Sequence, residues 1–252
     1  PPPGEPLSSG QAAKIRHYLD SNKRALQLLH RAAEIDGCRY PVNLPQGLAV
    51  ALPHLQKLRS CTKLLFLQAV LAAHNDRPEQ ATEAVLSGFA ASRSLEGEPL
   101  LISELVWMGL DHLTLASLEH VLARTDLRQN HLASLRESIR ASEVPGQLQR
   151  VLAGERAMGI GGFRGTGSSA GGPLLPPGAL RITVSTLRRV AGLTPLDELE
   201  YLGVMERKIK AAGAPWPKRL RRVKAVDAKY TGGWSRMLVY AMTSKLLPGM
   251  DR

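Results

Sequence analysis

The sequence predicts an all-α protein of antiparallel helical hairpins, arranged as a short TPR-like or α-solenoid-like array with a C-terminal helical part. Three observations predict it. Hydrophobic residues make up 44% of the chain but aromatics only 4%, so the apolar content is chiefly Leu and Ala, which lose least on entering a helix. β-Branched residues are sparse, and no segment alternates apolar and polar side chains for more than a few positions, as a half-buried strand would. Helical patterns with short connections follow one another, except across residues 159–180.

The first predicted helix covers about residues 11–36, with Ile15, Tyr18, Leu19, Leu26, Leu29, Ala32 and Ala33 at helical spacing and Gly37 where a C-cap glycine belongs. "CRYPVNLPQG" breaks the pattern with two prolines. A second helical region spans 48–74, with Pro53 starting or kinking it. The window 62–95 has the 34-residue length of a tetratricopeptide hairpin. "HNDRPE" joins its two helices, and Ala69, Ala81 and Gly88 supply small residues for close approach. No second clean copy of this window follows. Residues 96–125 read as a long buried helix with Pro99 in its first turn. Shorter helices follow, one carrying Leu132, Leu135 and Ile139 and another at 147–158. Past the glycine-rich stretch, 194–213 has Thr194 as N-cap, Pro195 at the first position and Gly213 as its stop. "APWPKRLRRVKAVDAK" and "WSRMLVYAMTSKLL" supply two more helices.

Charge divides the chain. Residues 1–150 hold 16 Lys and Arg against 15 Asp and Glu, whereas 151–252 hold 17 against 7. The predicted organisation is therefore a near-neutral helical array over 1–158, a Gly/Ser/Pro-rich joint over 159–180, and a basic helical part over 181–252.

That joint, "GIGGFRGTGSSAGGPLLPPG", contains a literal G-x-S-x-G centred on Ser169. A nucleophile elbow needs a strand before the serine and a helix after it, and neither is signalled here. The phosphate-loop reading fails because Ser168 stands where a lysine is required. Gly and Ser supply freedom instead, and Pro173, Pro176 and Pro177 stiffen the exit, so a linker or loop is expected. A hydrolase using Ser169 is the weakest of three functional readings.

Other chemical candidates are few. No histidine pair has H-E-x-x-H spacing and no C-x-x-C occurs, so no metal, cofactor or catalytic residue is assigned. Glu104, Asp111, His112 and Glu119 share a helical face that could line a metal or acid–base site, but a polar stripe on a buried helix is the simpler reading. His54 reads as a structural side chain. Cys38 and Cys61 allow one bridge or two free thiols. The longest apolar run, "LLFLQAVLAA", is far short of the roughly 20 residues a membrane span needs. The opening "PPPGEP", without Met or signal-peptide pattern, reads as a fragment or processed form.

The strongest local signal is "ERKIKAAGAPWPKRLRRVK" (206–224), with eight Lys and Arg in nineteen residues. Arg207, Lys208, Lys210, Lys218, Arg219, Arg221 and Arg222 could neutralise phosphates, and Trp216 could stack on a base or enter a lipid interface. Against this, Trp216 between two prolines could anchor a helix–helix turn while the bases are solvated.

"ALQLLHRAAEIDGCRYPV", "LPHLQKLRSCTKLL", "EPLLISELV", "LEHVLART", "GERAMG", "YLGVMERKI" and "PWPKRL" together resemble a family of uncharacterised, TPR-like helical proteins of large-genome environmental bacteria. The match runs through most of the chain in order and omits 160–195, where the family has a shorter connection. The resemblance implies a bacterial protein anchored in a membrane through a segment outside this sequence, exposing a helical domain, and is compatible with a location of that domain beyond the cytoplasm. It carries over no catalytic residue. The expected function is a non-enzymatic interaction or scaffold domain with a protein or peptide partner in a helical groove. The runner-up is nucleic-acid or anionic-lipid binding through 206–224.

Overall fold

The computed structural model describes residues 2, 4–44, 50–142, 144–164, 193–215 and 217–228. Among the described residues there are nine α-helices and no strand. Two units are distinguished, Pro1–Pro41 with Leu52–Pro145 and Val42–Ala51 with Gly146–Arg252.

The first unit holds six helices: α1 (Ser9–Ser21), α2 (Lys23–Ala33), α3 (Pro53–His74), α4 (Pro78–Arg93), α5 (Leu101–Leu122) and α6 (Gln129–Ala141). A capping box starts α1: the Ser8 N–H donates to Gln11 Oε1 at 2.9 Å, and the Gln11 N–H donates to Ser8 Oγ at 3.2 Å. The single helix expected over 11–36 is two, broken at Asn22. Ser21 Oγ donates to the His17 carbonyl and Asn22 Nδ2 to the Tyr18 carbonyl, so polar side chains take acceptors of the last turn. Gly37 adopts a left-handed φ of 80°, but three residues past the actual C-cap, Glu34.

Pro53 starts α3 at its first turn rather than kinking it. Residues 75–77 then close a helical hairpin, with the Arg77 N–H donating to the Ala72 carbonyl at 2.9 Å. The 34-residue window begins nine residues inside α3, whose 22 residues exceed what such a repeat allots to one helix. Pro99 precedes α5 instead of lying in its first turn.

Small residues set how closely these helices pack. Ala69, Ala72 and Ala73 of α3 meet Ala81, Ala84, Val85 and Phe89 of α4 in one core cluster with Leu118, Val121 and Leu135. A second cluster joins Leu7 and the inner faces of α1 and α2 to Leu64, Leu65, Val70 and Leu71 of α3. A third gathers Leu55, Leu58, Leu95, Val106, Trp107 and Leu110, with Tyr40 and Val144 against it. Gly88 makes its close approach to α5, not to α3: a Cβ there would come within 2.9 Å of the Thr114 side chain.

The second unit holds α7 (Gln147–Arg164), α8 (Leu193–Ala212) and α9 (Lys218–Ala228). Leu152, Tyr201, Met205 and Ala212 form its core. One expectation is corrected here: α7 does not stop at 158 but continues through Gly159, Gly161 and Gly162 to Arg164. Gly159 serves a helix crossing, since a Cβ on it would lie 2.0 Å from Tyr201 Oη. The Tyr201 hydroxyl donates to the Glu155 carbonyl at 2.9 Å, one turn earlier on α7. The rest of the expected joint (165–180) and the helix expected at "WSRMLVYAMTSKLL" lie outside the described residues. Among the described residues no helix is long and apolar enough to cross a membrane.

Candidate functional site

The site that emerges is a groove in the first unit, floored by α4 and walled by α2 and α6. Two contacts orient it. Arg128, just before α6, places its guanidinium 3.4 Å from Glu79 in the first turn of α4. Just past the other end of α6, Ser142, whose hydroxyl donates to the Ser138 carbonyl at 3.3 Å, lies beside Asp111, which accepts a hydrogen bond from Ser92 near the end of α4. The two helices therefore run in the same direction, and the groove between them is an open depression of about 630 Å³.

Its wall on the α2 side is fixed by a polar relay. His30 Nε2 lies 3.0 Å from Gln68 Oε1, and His30 Nδ1 lies 2.8 Å from Ser87 Oγ. Because an amide oxygen only accepts, the ring donates from Nε2 to Gln68, and Nδ1 shares a hydrogen bond with the Ser87 hydroxyl. The Glu83 carboxylate stands 3.7 Å from the same Nδ1.

Three groove-lining side chains hold buried polar atoms without a hydrogen-bond partner: Thr82 Oγ1, His131 Nδ1 and Arg93 Nη1. Glu34, Glu79, Glu83 and Glu137 are exposed around them. Such unmatched groups are rare in folded interiors and each costs about 1–3 kcal/mol. None of these residues was singled out by the sequence. The one trace was the polar pair Thr82 and Ser87 inside the apolar pattern of α4, and the partner of Ser87, His30, lies 57 residues earlier in the chain.

The residues the sequence did single out fare differently. Arg207 pairs with Glu200 at 3.4 Å and Lys210 with Glu206 at 2.7 Å. The neighbouring Lys210 ammonium holds the Glu206 carboxyl below its ordinary range, first through the hydrogen bond and then through its charge. Lys208 is fully buried, which removes it from any surface set: on α8 it shares the inward face with Val204 and Met205, also fully buried. Lys218, Arg221 and Arg222 are exposed on α9, and Arg219 donates to the Ala214 carbonyl at 3.0 Å. Trp216 and Ser169 lie outside the described residues.

Glu104, Asp111, His112 and Glu119 do not converge. Asp111 turns to Ser92 on α4, whereas His112 and Glu119 are exposed. Burial pushes the Asp111 carboxyl above its usual range, partly offset by the Ser92 hydrogen bond and the Arg93 charge. Among the described residues no cluster of three or more His, Cys, Asp or Glu could hold a metal ion. His54 is structural: it stacks on Tyr40 at 4.3 Å and stands 2.7 Å from Glu98, which accepts a 2.5 Å hydrogen bond from Ser103. Burial raises the Tyr40 hydroxyl to about 12. Cys38 and Cys61 are free thiols, and burial pushes that of Cys61 up.

Comparison with protein-family models, with curated proteins and with solved structures finds no match to this chain.

Proposed function

We propose that the six-helix unit is a non-enzymatic binding domain, an array of helical hairpins that takes a peptide segment of a protein partner in the α2–α4–α6 groove. The observation that carries this reading is an open groove of about 630 Å³ between three helices of one unit, lined by polar and apolar side chains together. A peptide offers backbone donors and acceptors to polar side chains of such a lining, Ser134 among them. Ala33, Ala90 and Ala141 leave room for it to lie close to the helices. Turnover is not proposed. Ser87 and His30 are placed as a nucleophile and base, but Ser87 sits inside α4, where neighbouring backbone N–H groups are committed to the helix and supply no oxyanion hole.

A display selection with random dodecapeptides on wild-type protein, repeated with Ala90→Arg, tests the reading. Captured peptides should lose at least tenfold in affinity for the variant. Equal affinity for both proteins would sink it.

A second reading is favoured by one observation: Lys218, Arg221, Arg222 and Lys224 are all exposed on the short helix α9. They suit nucleic acid or an anionic lipid surface. Retention on heparin that falls with salt and is lost when these four become Gln would support it; salt-independent failure to bind would remove it. Membrane tethering is proposed on the family resemblance alone, and fractionation of the native gene product tests it.

A further inference from the structure

We infer that the apolar groove between α5 and α6 seats an amphipathic helix of a protein partner, one whose apolar stripe is flanked by carboxylates. This surface shares only α6 with the α2–α4–α6 groove, so it stands whether or not a peptide binds there.

Sequence periodicity builds the face. On α5, Met108, Leu115 and Leu122 recur at seven-residue intervals, and they are 59%, 40% and 52% exposed. On α6, Leu132 and Ile139 are also seven apart and both exposed. Seven residues make nearly two turns, so each set stays on one side of its helix. An apolar repeat of this period left in water is the pattern that packs against another helix.

Tertiary packing turns the two stripes into a seat. Leu118 and Leu135 belong to the core cluster and form the floor. Leu122, Leu132 and Ile139 rise beside them, and the open groove has a volume of about 450 Å³. Leu132 and Ile139 lie about 10 Å apart at the helical rise, which matches two turns of a seated helix. Side chains at i, i+3 or i+4, and i+7 of such a helix fill it.

Charge selects the occupant. Arg136 and Arg140, one turn apart on α6, line this groove, and among the described residues no Asp or Glu lines it. Both are exposed, and among the described residues neither makes an ion pair. α6 thus divides its charge, because Glu137 lines the other groove with Glu34, Glu79 and Glu83. Carboxylates beside a partner's apolar stripe meet the two guanidiniums, whereas bases there are repelled. The chain's own segments outside the described residues lack that complement: 165–192 holds no Asp or Glu, and 229–252 holds only Asp251. The charge match therefore favours a separate protein.

The test follows fluorescence anisotropy of two labelled helical peptides on the full chain. They share leucines at i, i+3, i+4 and i+7 and carry either Glu or Lys at every flanking position. The Glu peptide should bind saturably, and the Lys peptide about tenfold more weakly or not at all. Leu122→Asp and Ile139→Asp, both at exposed sites, should each weaken the Glu peptide about tenfold, as loss of one anchor does. Arg136→Glu combined with Arg140→Glu should invert the preference, and Ala90→Arg, in the other groove, should leave Kd unchanged. No saturable binding of the Glu peptide, equal Kd for the two peptides, indifference to both Asp variants, or a loss with Ala90→Arg would overturn the inference. So would a wild-type dimer that Leu122→Asp dissociates, because the face would then cover its own copy. Binding of phosphatidylglycerol vesicles without binding of the Glu peptide would assign the face to a membrane instead, and would overturn it too.

Discussion

The two units bring helices together by opposite means, the first over many small side chains and the second over one glycine and one tyrosine. In the first, Ala69, Ala72, Ala73, Ala81 and Ala84 share the α3–α4 contact, and Gly88 meets Thr114. In the second, the ring of Tyr201 fills the space above Gly159 and anchors its hydroxyl on the Glu155 carbonyl. The first arrangement spreads the packing energy over many residues, so no single one carries it. The second concentrates it in a pair. The difference also shows in polarity: the first unit lines a groove with carboxylates, whereas the second exposes a basic helix.

The comparison breaks most readily at Tyr201. Tyr201→Ala removes a ring that is 1% exposed, and it should lower the protection of α7 and α8 amides by about 3–5 kcal/mol in hydrogen exchange. Unchanged protection in both helices would mean that the crossing is not held by this pair.

A smaller effect is expected at Gly88. Gly88→Ala gains about 1 kcal/mol of helix propensity, against about 1–3 kcal/mol for overpacking. Thr114 cannot simply rotate aside, because its hydroxyl donates to the Leu110 carbonyl at 2.9 Å. The net should be a loss of about 1 kcal/mol in α4 and α5 protection, reversed when Thr114→Ala is added. Additive losses in the double variant would show that the two side chains do not meet.

The smallest expected effect sharpens the polar side of the comparison. Burial raises the Asp111 carboxyl above its ordinary 3.8 in the folded chain, so the folded chain holds this proton more tightly than the unfolded one. Its contribution to stability is present below 3.8 and is lost as pH rises through the folded-state value. Asp111→Asn should flatten that part of the curve of urea midpoint against pH. A slope identical to wild type would assign the effect to other carboxyls.

Much of the helical plan was legible in the sequence. Leu and Ala content, the proline at the start of α3, the small residues of α3 and α4, and Gly213 just past the end of α8 are local signals, and local signals act within a turn or two. The N-cap expected at Thr194 is not the start of that helix, which begins at Leu193. The joint at 159–180 misled at its start, because three glycines within four residues read as a break. A glycine inside a helix costs about 1 kcal/mol against alanine, and burial of Tyr201 outweighs that. Asn22 misled in the other direction: its apolar neighbours keep helical spacing, while its side chain takes the acceptor that would continue the helix.

The basic segment shows the same limit. Eight bases in nineteen residues are visible in the sequence, but whether a base faces water depends on which side of α8 is packed, and Lys208 lies on the packed side. The groove was out of reach for a stronger reason. His30, Gln68, Ser87 and His131 belong to four different helices, and their meeting depends on how α2, α3, α4 and α6 dock. The sequence by itself determined the helical class, most helix positions and the uneven charge, because each follows from composition and neighbours within a few residues. Only the tertiary structure decided which polar side chains are buried together and left without partners, because that depends on contacts between helices distant in the chain.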